Sequence, residues 1–132
     1  MPGTFLLAKD ARPDDHPWGR FGWVCRPPSV DGRQLAVIEA AFLPGKGHSF
    51  HRHPRQEEVI YVLSGRIEQW IGKERRILGP GDAAFIPADT VHASFNNEDG
   101  EVRILAILGP SVGDGYETVE MGGEAPWSTI RD

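Results

Sequence analysis

Residues 51–58 read HRHPRQEE, and no other stretch of this chain carries as much chemical information. Residues two apart in a strand point to the same face, so His51 and His53 present two imidazoles side by side. Pro54 breaks this strand, and the chain turns back into extended structure at Glu57 and Glu58. Strand alternation allows only one of these glutamates to face the imidazoles, and the spacing alone does not decide which one.

Short extended runs separated by turn residues make up the middle of the chain. Predicted strands span residues 34–43, 58–63, 66–71, 75–78, 83–86, 91–95 and 102–108. Asp31-Gly32 precedes the first strand, and turns such as Gly72-Lys73-Glu74 and Pro80-Gly81-Asp82 separate later ones. No apolar period of 3.6 residues persists for three helical turns. This pattern indicates an all-β sandwich or barrel.

Two half-motifs in this region resemble those of the cupin superfamily. The first is Gly45 followed by His51-x-His53-x4-Glu58-x6-Gly65, and the second is Gly81-x5-Pro87-x-Asp89-x2-His92-x3-Asn96. They span residues 45–96, and the flanking strands extend the likeness to about 34–109. The resemblance implies a double-stranded β-helix, or jelly-roll barrel, of two facing sheets. It departs at Asp89, where the motif usually has glycine, but aspartate tolerates a left-handed backbone and we expect the turn to survive.

The resemblance also implies a metal site whose ligands are His51, His53, Glu58 and His92, with Glu58 preferred over Glu57. Three imidazoles and one carboxylate suit a divalent transition metal, such as Fe, Mn, Ni, Zn or Cu, and the ligand types do not choose among them. Four protein ligands leave one or two positions of an octahedral ion open for a substrate or O₂.

Four further residues are candidates for the pocket or for contacts to the ligands: His48, Glu57, Trp70 and Asn96. His48 falls on the face opposite the ligand pair if the strand continues backward, which favours a surface or supporting role. Trp70 is a candidate pocket wall, although aromatic side chains in strands more often pack in a core or an interface. The sequence assigns no catalytic residue.

The half-motifs leave both ends of the chain uncovered. We divide the chain into an N-terminal arm (residues 1–33), a barrel (34–110) and a C-terminal arm (111–132). Prolines interrupt the first arm, so we expect it to be irregular. Large apolar residues in both arms, including Trp18, Trp23 and Trp127, predict that the arms pack against a barrel rather than remain disordered.

Composition narrows the class of partner. The 132 residues carry a net charge of −5 and no basic cluster, so we expect no nucleic-acid partner. Cys25 is the only cysteine, which excludes an intrachain disulfide. The first residues do not resemble a signal peptide, and no apolar run approaches a membrane span. We therefore expect a cytoplasmic location, a small organic ligand, no membrane partner and, from the resemblance, a homodimer.

Three functions are compatible with this site. The favoured one is a metal-dependent enzyme of dioxygenase, isomerase, decarboxylase or lyase type that acts on a small organic substrate. The second is a non-enzymatic protein that binds a small ligand, and the third is a metal with a purely structural role. Metal ligands define a Lewis acid, whereas substrate choice depends on pocket side chains from several strands, so the sequence does not select the substrate.

Overall fold

Two antiparallel β-sheets contain almost all of the regular structure. The computed structural model describes residues 3–27, 30 and 33–131. Within these residues, the six strands of the first sheet lie in the order β1 (Asp14–His16), β2 (Gly19–Cys25), β3 (Ala36–Phe42), β10 (Val102–Gly109), β5 (Glu57–Ser64) and β8 (Ala83–Ile86). The five described strands of the second are β11 (Val119–Glu120), β4 (Gly47–Arg52), β9 (His92–Phe95), β6 (Ile67–Ile71) and β7 (Glu74–Leu78). The predicted all-β jelly-roll barrel is confirmed.

The hydrophobic core comes mainly from inward-facing residues of the first sheet. Along β10, Ile104, Ala106 and Leu108 are buried, while Arg103 is exposed. Each fully buried isoleucine or leucine side chain contributes about 1.5–3 kcal/mol relative to an exposed one. The largest fully buried side chains of the core cluster are Phe42, Ile67, Ile86, Ile104 and Leu108.

The seven predicted strands all form, and each begins and ends within two residues of its predicted bounds. The turn predicted at Gly72 also forms, because β6 and β7 pair as an antiparallel hairpin across it. The Asp31-Gly32 turn lies outside the described residues. Turn residues therefore located the strands of the middle of the chain reliably.

The expectation that residues 1–33 are irregular is wrong for Asp14–His16 and Gly19–Cys25, which form β1 and β2. β2 pairs with β1 on one side and with β3 on the other. Pro17 and Pro27 flank this run without entering it, so every residue of β2 keeps its N–H donor. Phe21 and Trp23 are half-buried and pack against the core cluster.

The C-terminal residues dock on the second sheet, as their aromatic content predicts. β11 pairs with β4, and Trp127 packs against a cluster that contains Phe50 and Trp70. Near the end of the described chain, the Arg131 guanidinium donates to the Glu68 carboxylate at 2.8 Å and lies 3.7 Å from the centre of the Phe95 ring.

Gly19 marks a position where β2 lies too close to β3 for a side chain. Its φ is +146°, and a Cβ at this position would collide with the carbonyl oxygen of Ala41. We expect Gly19→Ala to lower the free energy of unfolding by about 1–3 kcal/mol, because β2 and β3 must move apart to make room for the new Cβ. Urea unfolding followed by fluorescence measures this change.

Gly22→Ala is the matched control in the same strand. A Cβ at residue 22 meets Pro13 at 3.5 Å, an ordinary contact, and should change stability little. Equal losses in the two variants would contradict the proposed close approach at Gly19.

Candidate metal centre

Three histidine rings converge at one end of the space between the sheets. His51 lies near the end of β4, His53 follows that strand, and His92 begins β9 opposite His51. One ligand atom from each of the three histidines can be chosen so that all lie within 4.8 Å of one another. The ring centroids of His51 and His92 are 4.2 Å apart. A single ion could contact all three rings.

Backbone carbonyls fix the orientation of each ring. Nδ1 lies 2.6 Å from a carbonyl oxygen in His51, 2.8 Å in His53 and 2.9 Å in His92. The carbonyls belong to Ser49, Glu117 and Thr90, respectively. Because a carbonyl only accepts hydrogen bonds, each neutral ring carries its proton on Nδ1 and keeps the Nε2 lone pair for a metal.

Glu58, rather than Glu57, faces the histidines. Glu58 shares the inner face of β5 with Ile60 and is 5% exposed, whereas Glu57 is exposed. Oε1 of Glu58 lies 2.8 Å from Nε2 of His92 and 3.3 Å from Nε2 of His53. Alternation along β5, which left two choices in the sequence, is resolved in favour of Glu58.

Two buried atoms at this point lack a hydrogen-bond partner among the described residues: Oε1 of Glu58 and Nε2 of His92. Their 2.8 Å approach does not have the geometry of a hydrogen bond. Buried polar atoms are normally paired, because an unpaired one loses its hydration without compensation. A cation between a carboxylate oxygen and imidazole lone pairs would satisfy both atoms, so these residues fit a divalent metal.

The turn before His92 keeps its shape despite the aspartate. Asp89 has φ of +63°, the left-handed conformation that glycine usually supplies in the second half-motif. Its carboxylate also accepts a hydrogen bond from Arg52 at 2.5 Å, and its backbone N–H donates to the carbonyl of His53. The expectation that the turn survives is confirmed.

The expectation that His48 lies on the face opposite His51 is wrong. His48 pairs with Ser94, and His51 pairs with His92. A spacing of three residues along β4 therefore lies opposite a spacing of two residues along β9. This irregularity, a β-bulge, reverses the alternation and brings His48 and His51 to the same side. The His48 ring lines the cavity 6.2 Å from the His51 ring, with Trp18 and Phe42 at its edges.

The other three candidate pocket residues lie outside the cavity. Glu57 is on the exposed face of β5. Trp70 is buried in the cluster with Phe50, where its Nε1 donates to Glu68 at 2.6 Å. Asn96 is fully buried, and its amide donates to the carbonyls of Phe42 and Gly100. Trp70 and Asn96 thus have structural contacts.

The cavity beside the histidines has a volume of about 290 Å³. The first sheet supplies an apolar wall that includes Ile38, Ile60, Ile104, Ala106 and Leu108. Residues that the half-motifs do not cover complete it: Phe21 from β2, and Tyr116, Thr118 and Glu120 from the C-terminal segment. The alternating aromatic residues of 19–25 were a usable signal for Phe21, but nothing in the sequence indicated the other three.

Burial favours neutral histidines in the site, whereas the Glu58 carboxylate favours protonated ones. Burial lowers the pKa of His48 to about 4, and burial together with His92 lowers the pKa of His51 to about 3. Burial disfavours ionised Glu58, but His53 and His92 outweigh it and lower its pKa to about 2. Burial likewise opposes protonation of His53, but Glu58 outweighs it and raises the pKa of His53. At neutral pH, the site therefore holds a carboxylate beside neutral His51 and His48.

The family model described as "Cupin domain" matches residues 39–108. This chain therefore belongs to the cupin family. The predicted resemblance is confirmed over more than half of the chain.

The chain is also similar to several known proteins. Protein SchB of Streptomyces halstedii is 37% identical over 84 residues, covering 63% of this chain and 61% of SchB. Polyketide synthase CurC of Streptomyces cyaneus is 30% identical over 102 residues, covering 77% of this chain and 66% of CurC. The chain thus spans under two thirds of the length of these two relatives. The structure of KdgF from Halomonas sp. has the same fold, with a TM-score of 0.76, 24% identity and coverage of 86% and 98%.

Among the described residues, no helix is both long and apolar enough to cross a membrane.

The lowered pKa of His48 predicts how the stability of the metal-free protein depends on pH. Below about pH 6.5 the unfolded chain takes up a proton at His48, while the folded chain takes it up only near pH 4. Unfolding therefore binds a proton in this window, and stability falls as the pH falls from 6.5 to 4. The slope from one such group approaches about 1.4 kcal/mol per pH unit.

His48→Gln removes this titration and should flatten the slope, leaving the contributions of His51, His53 and Glu58. Urea unfolding of the EDTA-treated protein at several pH values between 4 and 7 measures it. The same slope in both proteins would show that His48 titrates normally in the folded state.

Proposed function

We propose that this protein is a metal-dependent enzyme that acts on a small organic substrate. The observation that carries the proposal is the pair of unpartnered buried atoms, on Glu58 and His92, beside an open cavity. The proposed ligands are His51, His53, Glu58 and His92, and the metal is Fe, Mn, Ni or Zn. When bound, such a metal supplies Lewis acidity or activates O₂.

The cavity favours a neutral substrate over a polyanionic one. No lysine or arginine is among the described residues that line it, and the lowered pKa of His48 leaves that ring neutral at neutral pH. A dicarboxylate would leave one charged group unpaired next to an apolar wall, which is costly. A phenol, enol or hydroxyketone needs only one or two polar contacts, so we propose a substrate of this class.

Two side chains are suited to bind the polar atoms of such a substrate. None of the described residues hydrogen-bonds to the His48 ring, which lines the cavity. The Tyr116 hydroxyl is protonated at neutral pH, as tyrosine ordinarily is, and burial and the charges of Glu58 and Glu120 raise its pKa further. The apolar wall excludes water and strengthens these contacts. The reaction type proposed is dioxygenation, isomerisation, decarboxylation or lyase-type elimination.

The name of one relative supports an enzymatic role. CurC, 30% identical to this chain, is named a polyketide synthase.

Metal analysis of variants tests the ligand set. Protein purified anaerobically should bind about one divalent ion per chain, and His51→Ala or His92→Ala should lower occupancy at least tenfold by removing a ligand. His48→Ala is the control, because His48 lies outside the converging group, and it should retain metal. Equal occupancy in all three variants would rule out the proposed ligands.

Turnover is tested by loading the protein with each metal and supplying catechols, enolisable diketones, hydroxy acids and dicarboxylates. O₂ uptake and mass spectrometry of the products report the reaction. We expect turnover with neutral phenols or enols and none with dicarboxylates. Tight binding of a panel member without any product would instead favour the non-enzymatic alternative.

We propose further that the protein forms a homodimer through the outer face of the first sheet. A row of four apolar residues crosses four neighbouring strands of this sheet, each directly opposite the next: Val37, Ile107, Val59 and Phe85. Phe85 is 55% exposed. A contiguous apolar row of this kind on a sheet surface is typical of an interface.

Ile107→Glu inserts a charge into the middle of this row and should shift the protein from dimer to monomer. Ile77→Glu, at an exposed position of β7 in the other sheet, is the control. Light scattering after size-exclusion chromatography measures the mass of each. Dimers that persist in Ile107→Glu would exclude this face.

A further inference from the structure

Gln56 lies at the corner of the chain between two of the proposed ligands, His53 and Glu58. Its side chain is 1% exposed. Nε2 donates to the carbonyls of Pro110 at 2.7 Å and Gly115 at 2.9 Å. Oε1 accepts from the backbone N–H of Glu117 at 3.1 Å. One buried amide thus ties three points of the C-terminal segment to the corner after His53.

The segment that Gln56 holds also orients His53. The backbone N–H of Glu117 is fixed by Gln56, and the carbonyl of the same residue receives the Nδ1 proton of His53 at 2.8 Å. The Ser49 and Thr90 carbonyls that orient His51 and His92 each lie only two residues from their ring, whereas Glu117 lies 64 residues from His53. The orientation of His53 therefore depends on how a distant segment is held.

The segment is confined from its other side as well. A Cβ on Gly115 would collide with the Trp23 ring, so the backbone here lies directly against that ring. On the surface, Arg55 makes two hydrogen bonds to the Glu117 carboxylate, at 2.9 and 3.0 Å. Exposed pairs of this kind contribute little to stability, because solvent screens the two charges. The buried amide of Gln56 is the stronger constraint, because a buried polar group left unpaired is costly.

We propose that Gln56 is a positioning residue of the metal centre: by holding Glu117, it fixes the His53 tautomer with the proton on Nδ1 and the Nε2 lone pair toward the metal. The proposal rests on the metal centre described above. Only a side chain with two donors and an acceptor in this arrangement satisfies all three backbone groups. A carboxylate of the same shape keeps the acceptor, loses both donors and faces two carbonyl oxygens.

Gln56→Glu and Gln56→Met test the proposal, with Arg55→Gln as the control. The first readout is the tautomer of His53 in the metal-free protein at alkaline pH, where the ring is neutral, observed by the ¹⁵N shifts of its two ring nitrogens. We expect the Nδ1–H form in the wild type and in Arg55→Gln, and a mixture of tautomers in both Gln56 variants.

The second readout is the dissociation constant for Zn²⁺, measured by competition with a chelating dye. Loss of a group that orients a ligand typically weakens metal binding about 10- to 100-fold, so we expect such an increase in both Gln56 variants. Arg55→Gln should stay within about threefold of the wild type, because its contact is exposed.

A purely structural role predicts a different result. If either Gln56 variant folds with lower stability but keeps the wild-type tautomer and Zn²⁺ affinity, the proposal is wrong. The methionine variant removes the polar group without adding a charge, so it remains informative if the glutamate variant does not fold. If the wild type itself fails to bind metal, the proposed function fails, whereas the tautomer still tests the role of Gln56 independently.

Discussion

The candidate metal centre depends on one constraint: three imidazoles must each present the same nitrogen to one point. Backbone carbonyls impose it, because each accepts a proton from Nδ1 and leaves Nε2 without one. The Ser49 and Thr90 carbonyls lie two residues from the rings they orient, whereas Glu117 lies 64 residues from His53. The geometry of the ligands therefore depends on the closed barrel, since no short peptide contains all of its supports.

The same arrangement holds charge where burial disfavours it. The Glu58 carboxylate is almost completely buried, and His53 and His92 keep its pKa near 2 against that burial. Its Oε1 nevertheless lacks a hydrogen-bond partner among the described residues. Buried charges are normally paired or bound to metals. The folded chain thus holds a negative, partly unsatisfied site whose energetic cost a bound cation would offset.

Sequence patterns located the barrel and the proposed ligands, but not the walls around them. Glycine and proline turns marked the strands because turn chemistry is local. They did not reveal β2, which follows a proline-rich stretch. They also did not reveal the bulge that brings His48 to the same side as His51, because a bulge depends on how β4 pairs with β9. Tyr116 and Gln56 acquire their contacts across long separations in sequence, and no local pattern records such contacts.

The proposed ligands come from the middle of the chain, while part of the cavity wall comes from its ends, and this difference affects how the barrel can be altered. The proposed ligands all lie between residues 51 and 92, whereas part of the cavity wall comes from Phe21, Tyr116, Thr118 and Glu120. Side-chain substitutions at these four positions can therefore remodel the space a substrate would occupy, provided that the backbone of the C-terminal segment keeps the Glu117 carbonyl on His53. Exchanging the cavity-facing side chains while keeping the backbone contacts of Gly115 and Glu117 is a direct route to new selectivity in this scaffold.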